Sequence, residues 1–190
     1  MYIKSGFLHP ESLFKIPKLG TLCDDPMGIT CSMHIARQWG GAKTIEPFDT
    51  FEDACAAVKD KRIDAFLVPA AYPCLNAFIM DAELVVFDTF IMRIPALVLA
   101  TSNENTTRGV DFLFHHPAVA PLLSEMDLPY TKAIEVSSNV DACRKHMALV
   151  HNSACITNAL CVEHFNMRVV QTLRDGICMP WICFRKADLR

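Results

Sequence analysis

Apolar residues along the chain fall into two kinds of segment. Short, nearly continuous apolar runs at 19–22, 63–68, 84–87, 94–100, 110–114, 133–136, 154–157, 167–173 and 177–184 have the length of strands. Between them lie helical patterns. One spans 32–39 and stops at Gly40-Gly41. A second opens on Thr50, with Asp53 three residues later as in a capping box, and places Phe51, Ala54, Cys55 and Val58 on one face. Others cover 118–126 after His116-Pro117, run from Ser138 to about 150, and end near 165, where Asn166 can close the helix in a left-handed conformation. Residues 1–17 read as an irregular arm broken by Pro10 and Pro17, and 102–109 as a polar turn.

The βαβα alternation predicts an α/β protein with open, mostly parallel sheets and helices on both faces. Strands that are apolar without relief suit sheets covered on both sides. No internal repeat or low-complexity linker interrupts the pattern.

Composition narrows the function classes. With 52% hydrophobic and 21% charged residues, the 190-residue chain can bury a sizeable core and is not disordered. A net charge of −3 and no Lys/Arg-rich run argue against a nucleic-acid or membrane-surface partner. The nine cysteines are odd in number and form no CxxC pair, so free thiols in a reducing cytosol are expected, with no metal and no cofactor. Residues 1–15 carry no signal-peptide core, and no apolar run approaches the ~20 residues of a membrane span. The expectation is a cytoplasmic protein.

In such folds small ligands bind at the carboxyl ends of strands, near helix N-termini whose free N–H groups suit carboxylates. Two hydroxyl-bearing loops open helices: Thr30-Cys31-Ser32 and Ser138-Asn139. Either one alone is also explained by ordinary N-capping.

Five segments occur in a familiar order. Gly28-Ile29-Thr30-Cys31-Ser32 with Trp39-Gly40 resembles the G-T-F-S…F-G opening of prephenate dehydratases. The stretch from Phe51 to Pro69-Ala70-Ala71-Tyr72 is similar to that family's segment ending P-I-E-N. Phe114-His115-His116-Pro117-Ala118 resembles its S-H-P-Q loop, and Ser137-Ser138-Asn139-Val140-Asp141-Ala142 its S-T-x-E-A-A helix start. Ser153 through Val170 resembles its A-A-I…G-L-x-V unit. The resemblance spans about 18–185. It implies a two-lobed fold of the type II periplasmic-binding-protein kind, with lobe I at 1–93 plus 175–190, lobe II at 94–174, and a small anionic metabolite in the interlobe cleft.

The departures shape the expected chemistry. P-I-E-N becomes Pro69-Ala70-Ala71-Tyr72, and the family's Thr-Arg-Phe motif has no counterpart in the stretch from Gly176 to Phe184. No ACT regulatory domain is expected. The pattern looks more like the divergent branch typified by the bacilysin-pathway prephenate decarboxylases. The resemblance therefore implies a lyase acting on prephenate or a related small cyclic carboxylate in specialised-metabolite (antibiotic) biosynthesis, assembled as a dimer or higher homo-oligomer. The alternatives are a noncatalytic binding or sensor domain and a scaffold subunit for a partner enzyme.

Candidate residues follow from these segments. Thr30, Cys31 and Tyr72 are the candidate catalytic groups: Cys31 because a helix N-terminus lowers a thiol's pKa, Tyr72 as a hydrogen-bond donor in the altered P-I-E-N segment. Ser32, Ala71, Arg93, Ser138, Asn139, Met179 and Trp181 are the candidate substrate-binding residues. Arg93 is a carboxylate clamp, with Arg174 a weaker one, and Trp181 a pocket wall or ordinary core. His115-His116 reads as a structural loop feature.

Overall fold

The computed structural model describes residues 16–24, 27–103, 108–149 and 152–188. Residues 1–15 of the arm expected at 1–17, part of the turn at 102–109, and residue 150 at the expected helix end lie outside them, while residues 16 and 17 open a strand rather than ending an arm. The chain divides into two units, Met1–Ile94 with Cys178–Arg190, and Pro95–Ile177.

The first unit is built from β1 (Ile16–Leu22), α1 (Cys31–Trp39), β2 (Ala42–Phe48), α2 (Phe51–Lys59), β3 (Ala65–Pro69), α3 (Leu75–Ile79) and β4 (Leu84–Arg93), completed by the last strand of the chain, β10 (Cys178–Lys186). Its five-stranded sheet has the order β2-β1-β3-β10-β4. The second unit contains β5 (Leu97–Thr101), β6 (Val110–His115), a 3₁₀ run (Pro117–Glu125), β7 (Tyr130–Glu135), α4 (Asn139–Ala148), β8 (Ser153–Asn158), α5 (Ala159–His164) and β9 (Arg168–Arg174). Its sheet has the order β7-β6-β8-β5-β9.

The expected α/β class is found, but the sheets are mixed rather than mostly parallel. In the first, β1 pairs in parallel with β2 and β3, while β10 pairs antiparallel with both β3 and β4. In the second, β6 pairs in parallel with β7 and β8, while β5 pairs antiparallel with β8 and β9. Alternation predicts βαβ crossovers but is blind to a strand that enters a sheet from a distant part of the chain, as β10 does.

Other differences have local causes. The apolar pattern predicts nothing at 42–48, where β2 forms. It is an edge strand with Lys43, Thr44 and Pro47 exposed, so no apolar run marks it, and a proline is tolerated on an edge. Pro17 likewise lies in the part of β1 that pairs only with β2, before pairing with β3 begins at Leu19. The helix expected at 118–126 is a 3₁₀ run, because Pro121 inside it removes an N–H donor. The run at 84–87 belongs to a ten-residue strand at the sheet margin. It is not covered on both faces, since Val85 and Val86 are 39% and 42% exposed. The short α3, which the pattern does not predict, packs Phe78 against Phe66 and Phe184.

Capping residues set the helix ends. Thr50 Oγ accepts the Asp53 N–H at 3.0 Å to start α2, and Gly40 ends α1 in a left-handed conformation, φ 67°. Asn166, at φ 49°, adopts the left-handed conformation expected of it. In the core under α2, Phe51, Ala54 and Val58 meet Phe66, Val68 and Phe184. Gly20 in β1 permits this packing: a Cβ there would lie 2.5 Å from Ile63 Cδ1 and 2.8 Å from Phe48 Cε2.

Candidate functional site

At the end of the first sheet where β1 and β3 finish, α1 begins. Thr30, 4% exposed, donates its hydroxyl proton to the Leu22 carbonyl at 2.9 Å and accepts the Met33 N–H at 3.3 Å. The loop before it is folded back on its own helix. Arg37 donates to the carbonyls of Met27 and Gly28 at 3.2 and 3.1 Å, and Gly28, at φ 66°, leaves room for that guanidinium. Cys31 is half-buried in the first turn, and Ser32 is buried beside it.

Beyond β3 the chain turns sharply. The Ala70 N–H donates to the Pro180 carbonyl at 2.9 Å, and the Tyr72 N–H to that of Pro69 at 3.0 Å. Ala71 is exposed at the turn. The Tyr72 ring meets Phe51 edge-on, with centroids 4.7 Å apart, and stacks on Phe78 at 6.0 Å. Its hydroxyl donates to Glu52 Oε1 at 2.7 Å. Burial, and secondly the Glu52 carboxylate, push the phenol pKa above the usual tyrosine range, so Tyr72 stays protonated.

On β10, Trp181 stands between Pro69 of β3 and Phe90 of β4. It is 1% exposed, a core residue, and its indole Nε1 is buried without a hydrogen-bond partner. Met179 is half-buried opposite Met92, and the exposed Arg93, last residue of β4, lies opposite Cys178. Because β10 runs antiparallel to both neighbours, its start adjoins the ends of β3 and β4. Thr30, Cys31, Ser32, Ala71, Tyr72, Arg93, Met179 and Trp181 therefore share one end of the first unit's sheet.

Ser138 and Asn139 belong to the second unit. They follow β7 at the end where β6 and β8 also finish. Ser138 Oγ accepts the Asp141 N–H at 2.9 Å as the cap of α4, and the Asn139 carbonyl accepts Thr157 Oγ1 at 3.0 Å. Two further groups stand at this end. Asn158 caps α5 by accepting the Cys161 N–H at 3.0 Å. Arg174 is committed to a bidentate pair with Glu125, both contacts 2.5 Å, which holds the Glu125 carboxyl below its ordinary value. His116 Nδ1 accepts the Ala118 N–H at 3.1 Å and caps the 3₁₀ run, a structural role.

Sequence reasoning passes over Glu52, Arg37 and Asn158. Asn158 has the ordinary N-cap signal, an Asn before an apolar helix. Glu52 has none, since its partner lies 20 residues away.

None of the nine cysteines is in a disulfide. Among the described residues no group of three or more His, Cys, Asp or Glu could hold a metal, and no helix is long and apolar enough to cross a membrane. A shallow depression of about 560 Å³, lined by Val58, Lys61, Asp64, Arg185 and Lys186 among others, lies at the opposite end of the first sheet from that unit's candidate residues.

No protein-family model matches the chain. Its fold is that of the prephenate dehydratases and of periplasmic venus-flytrap domains, an α/β architecture of two lobes. The Arthrobacter aurescens prephenate dehydratase solved with L-Phe matches with a TM-score of 0.69 at 17% identity over 90% of this chain, which spans 61% of the dehydratase chain. The Bordetella pertussis BvgS periplasmic VFT2 domain matches with a TM-score of 0.57 at 12% identity, covering 92% of this chain and 82% of that one. Sequence similarity is more specific. A prephenate decarboxylase of Planktothrix agardhii is 31% identical over 191 residues, covering 95% of this chain and 93% of the relative. The chain belongs to the prephenate decarboxylase family.

Proposed function

We propose that the protein is a cytoplasmic lyase that decarboxylates prephenate, or a closely related small cyclic carboxylate, without expelling the ring hydroxyl, in a specialised-metabolite (antibiotic) pathway, and that it works as a homo-oligomer. The observation that carries the reaction type is the Tyr72–Glu52 bond. Loss of the ring hydroxyl as water needs an acid beside it. Tyr72 directs its proton to Glu52, and Thr30 directs its own to the Leu22 carbonyl, so neither hydroxyl proton is turned towards a ligand.

Decarboxylation has no such need. The bond between ring and carboxylate breaks, its electron pair moves into the ring diene, and a ring carbon takes one proton from water. Carbon dioxide leaves and the hydroxyl stays. The protein's part is to hold the anion. Arg93 supplies a cation for a carboxylate, and the positive end of the α1 helix dipole favours negative charge. Cys31, Ser32, Ala71 and Met179 would shape and contact the ligand.

Incubation with prephenate tests this, following prephenate loss, CO₂ release and product structure. The expected product is non-aromatic and retains its hydroxyl, with CO₂ released in equal amount. Phenylpyruvate formed faster than in the protein-free acid background would make the protein a dehydratase. Tight binding without turnover would favour a noncatalytic small-anion binding domain.

A further inference from the structure

We propose that Ser102, His146 and Ser153 form a second site, at which Ser102 takes up the acyl group of small carboxylic esters and passes it to water. The second unit brings the three together from separate elements. Ser102 follows β5, His146 lies in the last turn of α4, and Ser153 is the first residue of β8. Because β5 runs antiparallel to β8, Ser102 stands where β8 begins, at the end of that sheet opposite Ser138 and Asn139.

The contacts are those of an activated nucleophile, its base and the group that orients the base. Ser102 Oγ lies 2.9 Å from His146 Nε2, and His146 Nδ1 lies 2.7 Å from Ser153 Oγ. The Ser102 N–H also donates to Nε2, at 2.8 Å, so this nitrogen is the unprotonated one and can take the hydroxyl proton. Nδ1 then carries the ring proton and donates it to Ser153. Holding the turn would need the Ser102 N–H alone; the hydroxyl and the Ser153 bond add a nucleophile and an orienter. Exposure follows these roles. Ser102 is exposed, His146 is 2% exposed behind it, and Ser153 is wholly buried. Burial lowers the His146 pKa, which keeps the imidazole neutral and able to act as a base at neutral pH. Arg168, opposite Thr101 in the pairing of β5 with β9, donates to the Asn103 carbonyl at 3.3 Å. This places a guanidinium at the turn that carries Ser102, where it can face a developing oxyanion.

The reaction needs only ester and water. Ser102 Oγ bonds to the carbonyl carbon as its proton passes to Nε2. The ester C–O bond breaks, and the departing alkoxide takes that proton. Water then attacks the acyl-serine and gives a proton to Nε2; the acid leaves, and the proton returns to Ser102 Oγ. Ser153 is neutral where a Ser-His-Asp triad has a carboxylate, and the Ser102 N–H shares the Nε2 lone pair, so turnover is slow.

The test is hydrolysis of p-nitrophenyl acetate by the full chain, together with labelling by a fluorophosphonate and peptide mapping of the label. Saturable hydrolysis and a label on Ser102 are expected. Ser102→Ala keeps the backbone bond to His146, so its circular dichroism should be unchanged. It should lose the label and hydrolyse at least about tenfold more slowly. Ser153 is a positioning residue, and Ser153→Ala should lower kcat about tenfold at unchanged KM. A label confined to cysteines or lysines overturns the proposal. So does Ser102→Ala hydrolysing at the parent rate, or Ser153→Ala with kcat unchanged.

Discussion

Tyr72 and Glu52 are joined by a 2.7 Å hydrogen bond in which the phenol donates, and the ring is held between Phe51 and Phe78. Burial and the carboxylate together keep the phenol protonated. Tyr72 is therefore expected to ionise above the ordinary tyrosine range in an ultraviolet titration of the folded protein. Glu52→Gln removes the negative charge opposing ionisation but leaves the burial, so the Tyr72 transition should move to lower pH while staying above the ordinary tyrosine range. An unmoved transition would show that Glu52 does not govern the phenol.

His146 gives the second unit a pH dependence. It is 2% exposed; its Nε2 accepts the Ser102 N–H at 2.8 Å, so the ring proton sits on Nδ1 and is donated to Ser153 Oγ at 2.7 Å. Burial lowers its pKa from the ordinary 6.5. The unfolded chain thus binds a proton at higher pH than the folded one does. The stability tied to neutral His146 is complete above about pH 6.5 and is lost as pH falls towards the folded value. Thermal melts between pH 5 and 8 should show a decline below pH 6.5 that is shallower in His146→Gln. Equal slopes would remove His146 as the cause.

Thr30 makes two bonds where an ordinary cap makes one. Thr30→Ala should cost about 2 kcal/mol in a urea titration, at the upper end for a cap, because it also orphans the Leu22 carbonyl. Thr30→Ser keeps both bonds and should stay within about 0.5 kcal/mol of the parent.

Gly20 tests the packing between β1 and the core under α2. Gly20→Ala should cost about 1–3 kcal/mol, as overpacking does. The nearest clash is with Ile63 Cδ1 at 2.5 Å, an atom that valine lacks. In the double variant with Ile63→Val the losses should fall short of their sum by at least about 0.5 kcal/mol. Simple additivity would place the strain on Phe48 instead.

These residues also mark how far the chain can be read unaided. Helix starts at Thr30, Thr50 and Ser138 are legible because capping is written in three or four adjacent residues. Buried strands such as β3 and β8 are legible because both faces are apolar. β2 is not, because an edge strand with exposed Lys43, Thr44 and Pro47 has no periodic signature. Nor is the direction of β10, which depends on contacts with strands far earlier in the chain. The candidate residues were legible as positions, and those of the first unit stand at one end of one sheet. Their hydrogen-bonding state was not: Thr30 and Ser138 serve as caps, Arg174 is tied to Glu125, and Tyr72 to Glu52. Long-range pairing decides each side-chain commitment apart from the caps.

The position of β10 has a consequence for the newborn chain. During synthesis, residues 16–93 leave the ribosome with a vacancy between β3 and β4, because the strand that fills it is encoded at 178–186. The second unit, continuous in sequence from Pro95 to Ile177, emerges entire before that strand and can fold first. The first unit must wait for a strand made after the whole of the second, with Phe66 lacking its stacking partner Phe184 meanwhile, so the unit begun first is the one completed last.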